Sequence, residues 1–200
     1  PLMNDPAHSG LIRFLQTLAA GFPPPSAIVL ISAHWEAAVP TVNAGAAPSL
    51  LYDYGGFPPE TYRITYPAPG HPALAQQITQ LLAKGGFACA ADSKRGFDHG
   101  VFVPMKLLYP AADIPCVQLS LIKGLDAAGH LRLGACLGSL REQNVAIIGS
   151  GMSFHNLQAI FSGERADLRQ ASDQFDNWLV QTMSSPGLGS TGRTLQLANW

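Results

Sequence analysis

Residues 26–36 read SAIVLISAHWE: five consecutive apolar residues, Ala27 to Ile31, and shortly afterwards a histidine, a tryptophan and a glutamate side by side. A short, unbroken, β-branched run of this kind marks a central strand buried on both faces, as in parallel sheets. Its abrupt polar end puts His34 where such a strand leaves the sheet. In open α/β sheets ligands sit at that place, because loops converge there and helix N-termini point at it.

Outward from this strand, helical and extended patterns alternate. SGLIRFLQTLAAGF, with Leu11, Phe14, Leu15 and Leu18 at helical spacing, predicts a first helix capped by Ser9 and stopped by Gly21 and the PPP at 23–25. AVPTVNAG (38–45) reads as a neighbouring strand. The stretch 48–72 is too dense in Gly, Pro and Tyr for regular structure apart from a short strand at YRITY (62–66), and five aromatics between Tyr52 and Tyr66 favour an ordered loop. Then come a helix at 72–86, a strand near FACAAD (87–92), the turn SKRGFDHG (93–100), and a short helix through VFVPMKLLYP. A strand at IPCVQLSL, a helix begun by Asp126, and a strand at VAIIGSGM leading into FHNLQAIF follow. The last expected element is a helix from Ala166 to Met183. The alternation predicts an α/β fold of three layers, a mostly parallel central sheet with helices on both faces. Residues 1–200 read as a single catalytic-type domain, trimmed at both ends, since the chain opens at Pro1 and stops at QLANW.

Composition narrows the function. With 47% hydrophobic and 12% charged residues among 200, and a net charge of −1, the chain can bury a core but lacks the charge excess of nucleic-acid or anionic-membrane binders. A small-molecule partner is expected, with no nucleic acid and no membrane; a homo-oligomer stays open. No apolar run reaches a membrane span, and three cysteines without CxxC spacing read as buried free thiols in a reducing, cytoplasmic setting.

Three of the six histidines fall at strand ends or turns: His34, His99 in GFDHG, and His155 after VAIIGSGMSF. His34 reads either as a rim histidine bonded to a carbonyl or as a metal ligand, and Trp35 and Glu36 beside it favour the ligand. His99 is either a bystander to an Asp98 turn cap or a ring whose tautomer is fixed by Asp98 or the helix start, leaving its outer nitrogen for a ligand oxygen. The glycines of GSGMSFHNL lack the lysine of a phosphate loop, which argues against nucleotide binding. They bring His155 to the rim, where an imidazole suits general acid/base work. His8, His71 and His130 lie in or beside amphipathic helices and read as capping or solvated. No G-x-S-x-G elbow supports a serine triad.

SAHWE, YDYGGFPPETYRITYPAPG, RGFDHGVFVPMKLLYPAADIPCVQLSL and GSGMSFHNL, in this order and spacing, resemble the class III extradiol ring-cleaving dioxygenases, in particular the DOPA-4,5-dioxygenase-like branch. The resemblance spans nearly the whole chain. It implies a non-haem Fe(II) site, with zinc able to stand in its place, that opens a catechol-type ring with O2 beside the two hydroxyls to give a hydroxymuconic semialdehyde-type product. It implies that His34 is a metal ligand, that His155 is the acid/base and that His99 lines the pocket and orients substrate or oxygen. It also places further metal ligands outside residues 1–200. Trp35 and Tyr54 are expected to supply apolar wall to the substrate. Two other readings compete: a non-catalytic binding protein on the same fold, and a zinc-dependent hydrolase with a metal-bound water as nucleophile.

Overall fold

In the computed structural model, which describes Leu2, residues 6–153, His155 and residues 166–199, the run at Ala27 opens strand β1 (Ala27–Ala37). Ile28, Val29 and Leu30 have no exposure at all. Strand β1 is flanked on both sides, so its backbone is paired along both edges while its side chains meet a helix layer on either face. The other strands are β2 (Thr41–Asn43), β3 (Ala90–Asp92), β4 (Cys116–Ile122) and β5 (Val145–Ser150), in the spatial order β3-β2-β4-β1-β5. β1 is parallel to β4 and β5, and β2 is parallel to β3; the β2–β4 junction alone is antiparallel. The expected mostly parallel α/β sheet is thus the one found.

Alternation along β1 sorts the core into two halves. Ala27 and Val29 face helices α2 (Pro72–Lys84) and α4 (Ala127–Cys136), where Leu74, Ile78, Leu82 and Leu133 are buried, together with Leu140 just beyond α4. Ile28 and Leu30 face helix α3 (His99–Leu108) and the long loop, packing with Tyr66, Phe97, Val101, Phe102 and Met105. Helix α1 (Ser9–Ala20) lies outside that second half and has no buried residue of its own.

Several local expectations are corrected. YRITY is not a strand: Pro59–Arg63 winds as a 3-10 turn, and Tyr52 donates its hydroxyl to the Ile64 carbonyl at 2.6 Å, a bond that pulls the segment back onto the loop instead of onto a sheet edge. Ser9 is the first residue of α1, and His8 holds the cap position. Asp126 does cap α4, accepting from the Gly129 N–H at 2.6 Å, but the helix tightens into a 3-10 segment at Gly138–Gln143. The C-terminal helix, α5 (Ala166–Ser184), is followed by a further helix, α6 (Ser190–Ala198). FHNLQAIF lies outside the described residues apart from His155. No helix among the described residues is long and apolar enough to cross a membrane.

Cys116, at the start of β4, is 1% exposed, and burial pushes its thiol up to about 12. A raised thiol value means that the folded state disfavours the thiolate. The contribution is therefore full below the ordinary value of 9.0 and is lost as pH climbs above it. We expect Cys116 to resist alkylation at pH 8 in the native chain and to react on denaturation. Peptide mapping after a timed iodoacetamide pulse reads this, and native labelling at the rate of a free thiol would contradict it.

Candidate metal and catalytic site

The polar end of β1 has an unusual register. Ile31 pairs with Leu119 of β4, yet the next pair is Glu36 with Leu121, so Ser32, Ala33, His34 and Trp35 stand opposite Ser120 alone and the strand bulges. A bulge of this kind re-aims side chains at a sheet's rim. Here it lifts His34 out of the ladder, leaving its side chain 38% exposed.

His99 reaches the same place from the first residue of α3. Its ring centroid lies 3.9 Å from that of His34, with 48° between the planes. Between them comes Asp53, from the long loop. One Asp53 oxygen accepts the His99 backbone N–H at 3.0 Å and lies 2.7 Å from His99 Nδ1; the other lies 4.0 Å from His34 Nδ1. Partial burial alone would raise the Asp53 pKa, but the hydrogen bonds from the His99 backbone and ring outweigh it and hold the carboxyl below the ordinary carboxylate range. Facing an ionised carboxylate, Nδ1 of His99 must carry the proton and donate, which leaves Nε2 as the free nitrogen. His34 is held below its ordinary value, first by desolvation, then by the nearby His99, against the opposing pull of Asp53 and Asp98. It is therefore neutral near pH 7, with a lone pair to offer.

Ligand atoms of His34, Asp53 and His99 all lie within 4.8 Å of one another. Two imidazoles and a carboxylate are a donor set that suits a divalent first-row ion, so the residues present fit a metal at this rim. His155 is exposed and lies within electrostatic reach of His34, the smallest of the influences that lower the His34 pKa.

The loop that delivers Asp53 is ordered by its own tyrosines. Tyr54 donates to the Thr61 carbonyl at 2.8 Å and Tyr62 to the Tyr54 carbonyl at 3.3 Å, and the Leu51 N–H bonds to the Phe97 carbonyl beside α3 at 2.8 Å. The Tyr54 ring stands edge-on to His99 with centroids 5.5 Å apart.

Three expectations are corrected. The carboxylate beside His34 is Asp53 rather than Glu36, which has returned to the sheet in register with Leu121. Asp98 does not orient the His99 ring either. It is turned inward with no exposure, accepting from Ser32 Oγ at 2.7 Å, from Arg95 at 3.1 Å and from Gln118 Nε2. Trp35 does not join the histidines. It is 7% exposed with the Arg95 guanidinium 4.4 Å from its ring centroid. His71 caps α2 by accepting from the Leu74 N–H, and His130 accepts from the Ile122 N–H, so both are structural. The residue missed in the sequence is Asp53; its only signal was a lone acid between two tyrosines in a loop already read as ordered.

A family model described as the catalytic LigB subunit of aromatic ring-opening dioxygenase matches residues 3–197. The chain belongs to this family. Among curated relatives, Dioxygenase tasH of Hapsidospora irregularis is 47% identical over 171 residues, covering 81% of this chain and 53% of that protein. The 4,5-DOPA dioxygenase extradiol of Beta vulgaris is 48% identical over 132 residues, covering 66% and 49%. That of Mirabilis jalapa is 36% identical over 203 residues, covering all of this chain and 76% of the relative. This LigB-family chain spans about half the length of the first two. A crystal structure of an uncharacterized protein from Escherichia coli K12 shares the fold at a TM-score of 0.62 and 31% identity, over 94% of this chain and 80% of that one.

A Cβ on Gly100, the second residue of α3, would lie 2.2 Å from Ser32 Oγ and 3.1 Å from an Asp98 oxygen. Gly100→Ala should therefore cost roughly 1–3 kcal/mol by overpacking and weaken Co(II) binding at the rim; a melt and a Co(II) titration unchanged from wild type would contradict this. A depressed Asp53 pKa contributes stability that is present above the ordinary 3.8 and lost as pH falls through the folded value. The stability difference between wild type and Asp53→Asn should accordingly be level at neutral pH and shrink below about pH 4, as urea melts across pH will show.

Proposed function

We propose that this chain carries the active site of an extradiol dioxygenase that opens a catechol-type ring with O2, using iron(II), with zinc able to occupy the same donors. The observation that carries the reading is the convergence of His34, Asp53 and His99 within 4.8 Å at the end of a central parallel strand; membership of the LigB family supports it. His34 would hold the metal, with Asp53 and His99 beside it and further ligands from outside residues 1–200. When bound, iron(II) supplies Lewis acidity toward catechol oxygens and electron transfer toward O2.

The chain's own residues do the rest. Asp53 fixes His99 as the Nδ1–H tautomer, so Nε2 keeps its lone pair and accepts a hydrogen bond from a substrate hydroxyl. His155, exposed near His34, takes a proton from a catechol hydroxyl as general base and returns one later. The Tyr54 ring, edge-on to His99, closes one side of it with its hydroxyl already committed to Thr61, so that side excludes water without offering a competing donor. Trp35, 7% exposed with Arg95 over its ring, supports the rim in this reading and does not touch the substrate. The expected product is a hydroxymuconic semialdehyde-type compound. Three free thiols support a reducing, cytoplasmic setting.

The test is anaerobic loading with Fe(II), then O2 uptake and growth of a yellow product across a panel of catechols. His155→Ala should lower kcat by about 10²–10⁴-fold with KM nearly unchanged, and His34→Ala should abolish iron retention. Absence of O2 uptake with every catechol sinks the proposal, and ester hydrolysis without O2 uptake would favour the zinc hydrolase.

A further inference from the structure

A carboxylate wholly out of water is costly to keep, and Asp98 is such a group. It occupies the N-cap position of α3, where an aspartate ordinarily serves the first N–H groups of its own helix, yet its side chain makes no capping hydrogen bond. Both oxygens are turned instead to donors from three other parts of the chain: Ser32 of β1 on Oδ1, and Arg95 of the preceding turn and Gln118 of β4 on Oδ2. Ser32 Oγ in turn accepts the backbone N–H of His34 at 3.1 Å. On the other side, Asp98 is bonded through the peptide to His99.

We infer that Asp98 is a positioning residue: its buried carboxylate clamps the bulge of β1 to the first turn of α3 and so sets the separation and orientation of the His34 and His99 rings. The inference rests on the reading of those two rings as site groups. The route to each is short, one hydroxyl on the His34 side and one peptide on the His99 side. Gly100 lets helix and strand approach so closely that a single added Cβ would meet both Ser32 Oγ and an Asp98 oxygen. Arg95 is itself held over the Trp35 ring, which gives the tryptophan of SAHWE its place in the clamp. The isosteric amide keeps one oxygen and sets an NH2 in place of the other, opposite either the Ser32 hydroxyl or the Arg95 and Gln118 donors, and it carries no charge for Arg95, so Asp98→Asn should loosen the clamp while keeping its volume.

The probe is the metal-free chain labelled with 15N at histidine, observed by long-range 1H–15N correlation. Wild type should show His99 as a single Nδ1–H tautomer. Asp98→Asn should show a mixture of tautomers, because His99 drifts from Asp53, and Ser32→Ala should do the same; the double variant should be no worse than Asp98→Asn alone. Leu82→Ala, which opens the core on the far face of the sheet, should melt earlier yet keep the wild-type His99 signal. A single tautomer in Asp98→Asn, or an equal loss of it in Leu82→Ala at a matched margin below the melting temperature, overturns the inference. Should Asp98→Asn fail to fold, Ser32→Ala decides by the same criterion. The spectrum needs no turnover, so a chain that fails to cleave catechols refutes the proposed reaction and leaves this outcome to be read independently. Where turnover is present, Asp98→Asn should lower kcat at least about tenfold with KM within about threefold, the mark of misplaced groups instead of lost binding.

Discussion

The buried carboxylate of Asp98 is the constraint on which the rim depends. A charge removed from water is tolerable only when its lone pairs are met by good donors, and the three that meet Asp98 come from β1, from the turn before α3 and from β4. Satisfying one residue therefore draws three chain segments to one point. Hydrogen bonds to charged groups contribute about 1.5–3 kcal/mol each, enough to hold a strand bulge in a single arrangement. The histidines carried by those segments inherit that precision, since His34 hangs from Ser32 and His99 follows Asp98 directly.

A second, softer constraint acts from the solvent side. Loops as long as the one between β2 and α2 usually owe their order to something other than a ladder, and here tyrosine hydroxyls supply it by bonding the loop's own carbonyls. Because those hydroxyls are consumed internally, the Tyr54 ring meets His99 without offering it a donor. Asp53 is thereby carried to the histidine pair on a scaffold that is half aromatic. Its carboxylate, unlike that of Asp98, sets its second oxygen 4.0 Å from His34 Nδ1. The two aspartates divide the work: one is saturated and structural, the other is left available at the mouth.

The two halves of the core serve the site unequally. The α2/α4 half, with Ile78, Leu82 and Leu140 fully buried, stabilises the sheet and touches nothing at the rim. The α3 half includes Phe97 and Phe102, which flank Asp98 and His99 in sequence and anchor the start of α3 from beneath. Phe102 also meets the Tyr52 ring at 5.7 Å. Packing on that face thus ties the helix start to the loop that brings Asp53.

By itself the sequence determined the strand AIVLI, the helices of regular apolar spacing and the α/β layering, because these follow from local periodicity and from how much of each segment must be hidden. It also marked the places where His34 and His99 leave regular structure, since a polar residue after an apolar run can only lie at an end. What it could not determine is which acid meets which base. Asp98, one residue from His99, was the natural partner by proximity, and Glu36 lay two residues from His34. The tertiary structure chose Asp53 instead, 46 residues away from His99, and turned Asp98 inward. It likewise packed Trp35 against Arg95. Pairings of this kind are decided by the bulge in β1, the close approach allowed at Gly100 and the burial of a charge, all of which arise only when distant segments share one space.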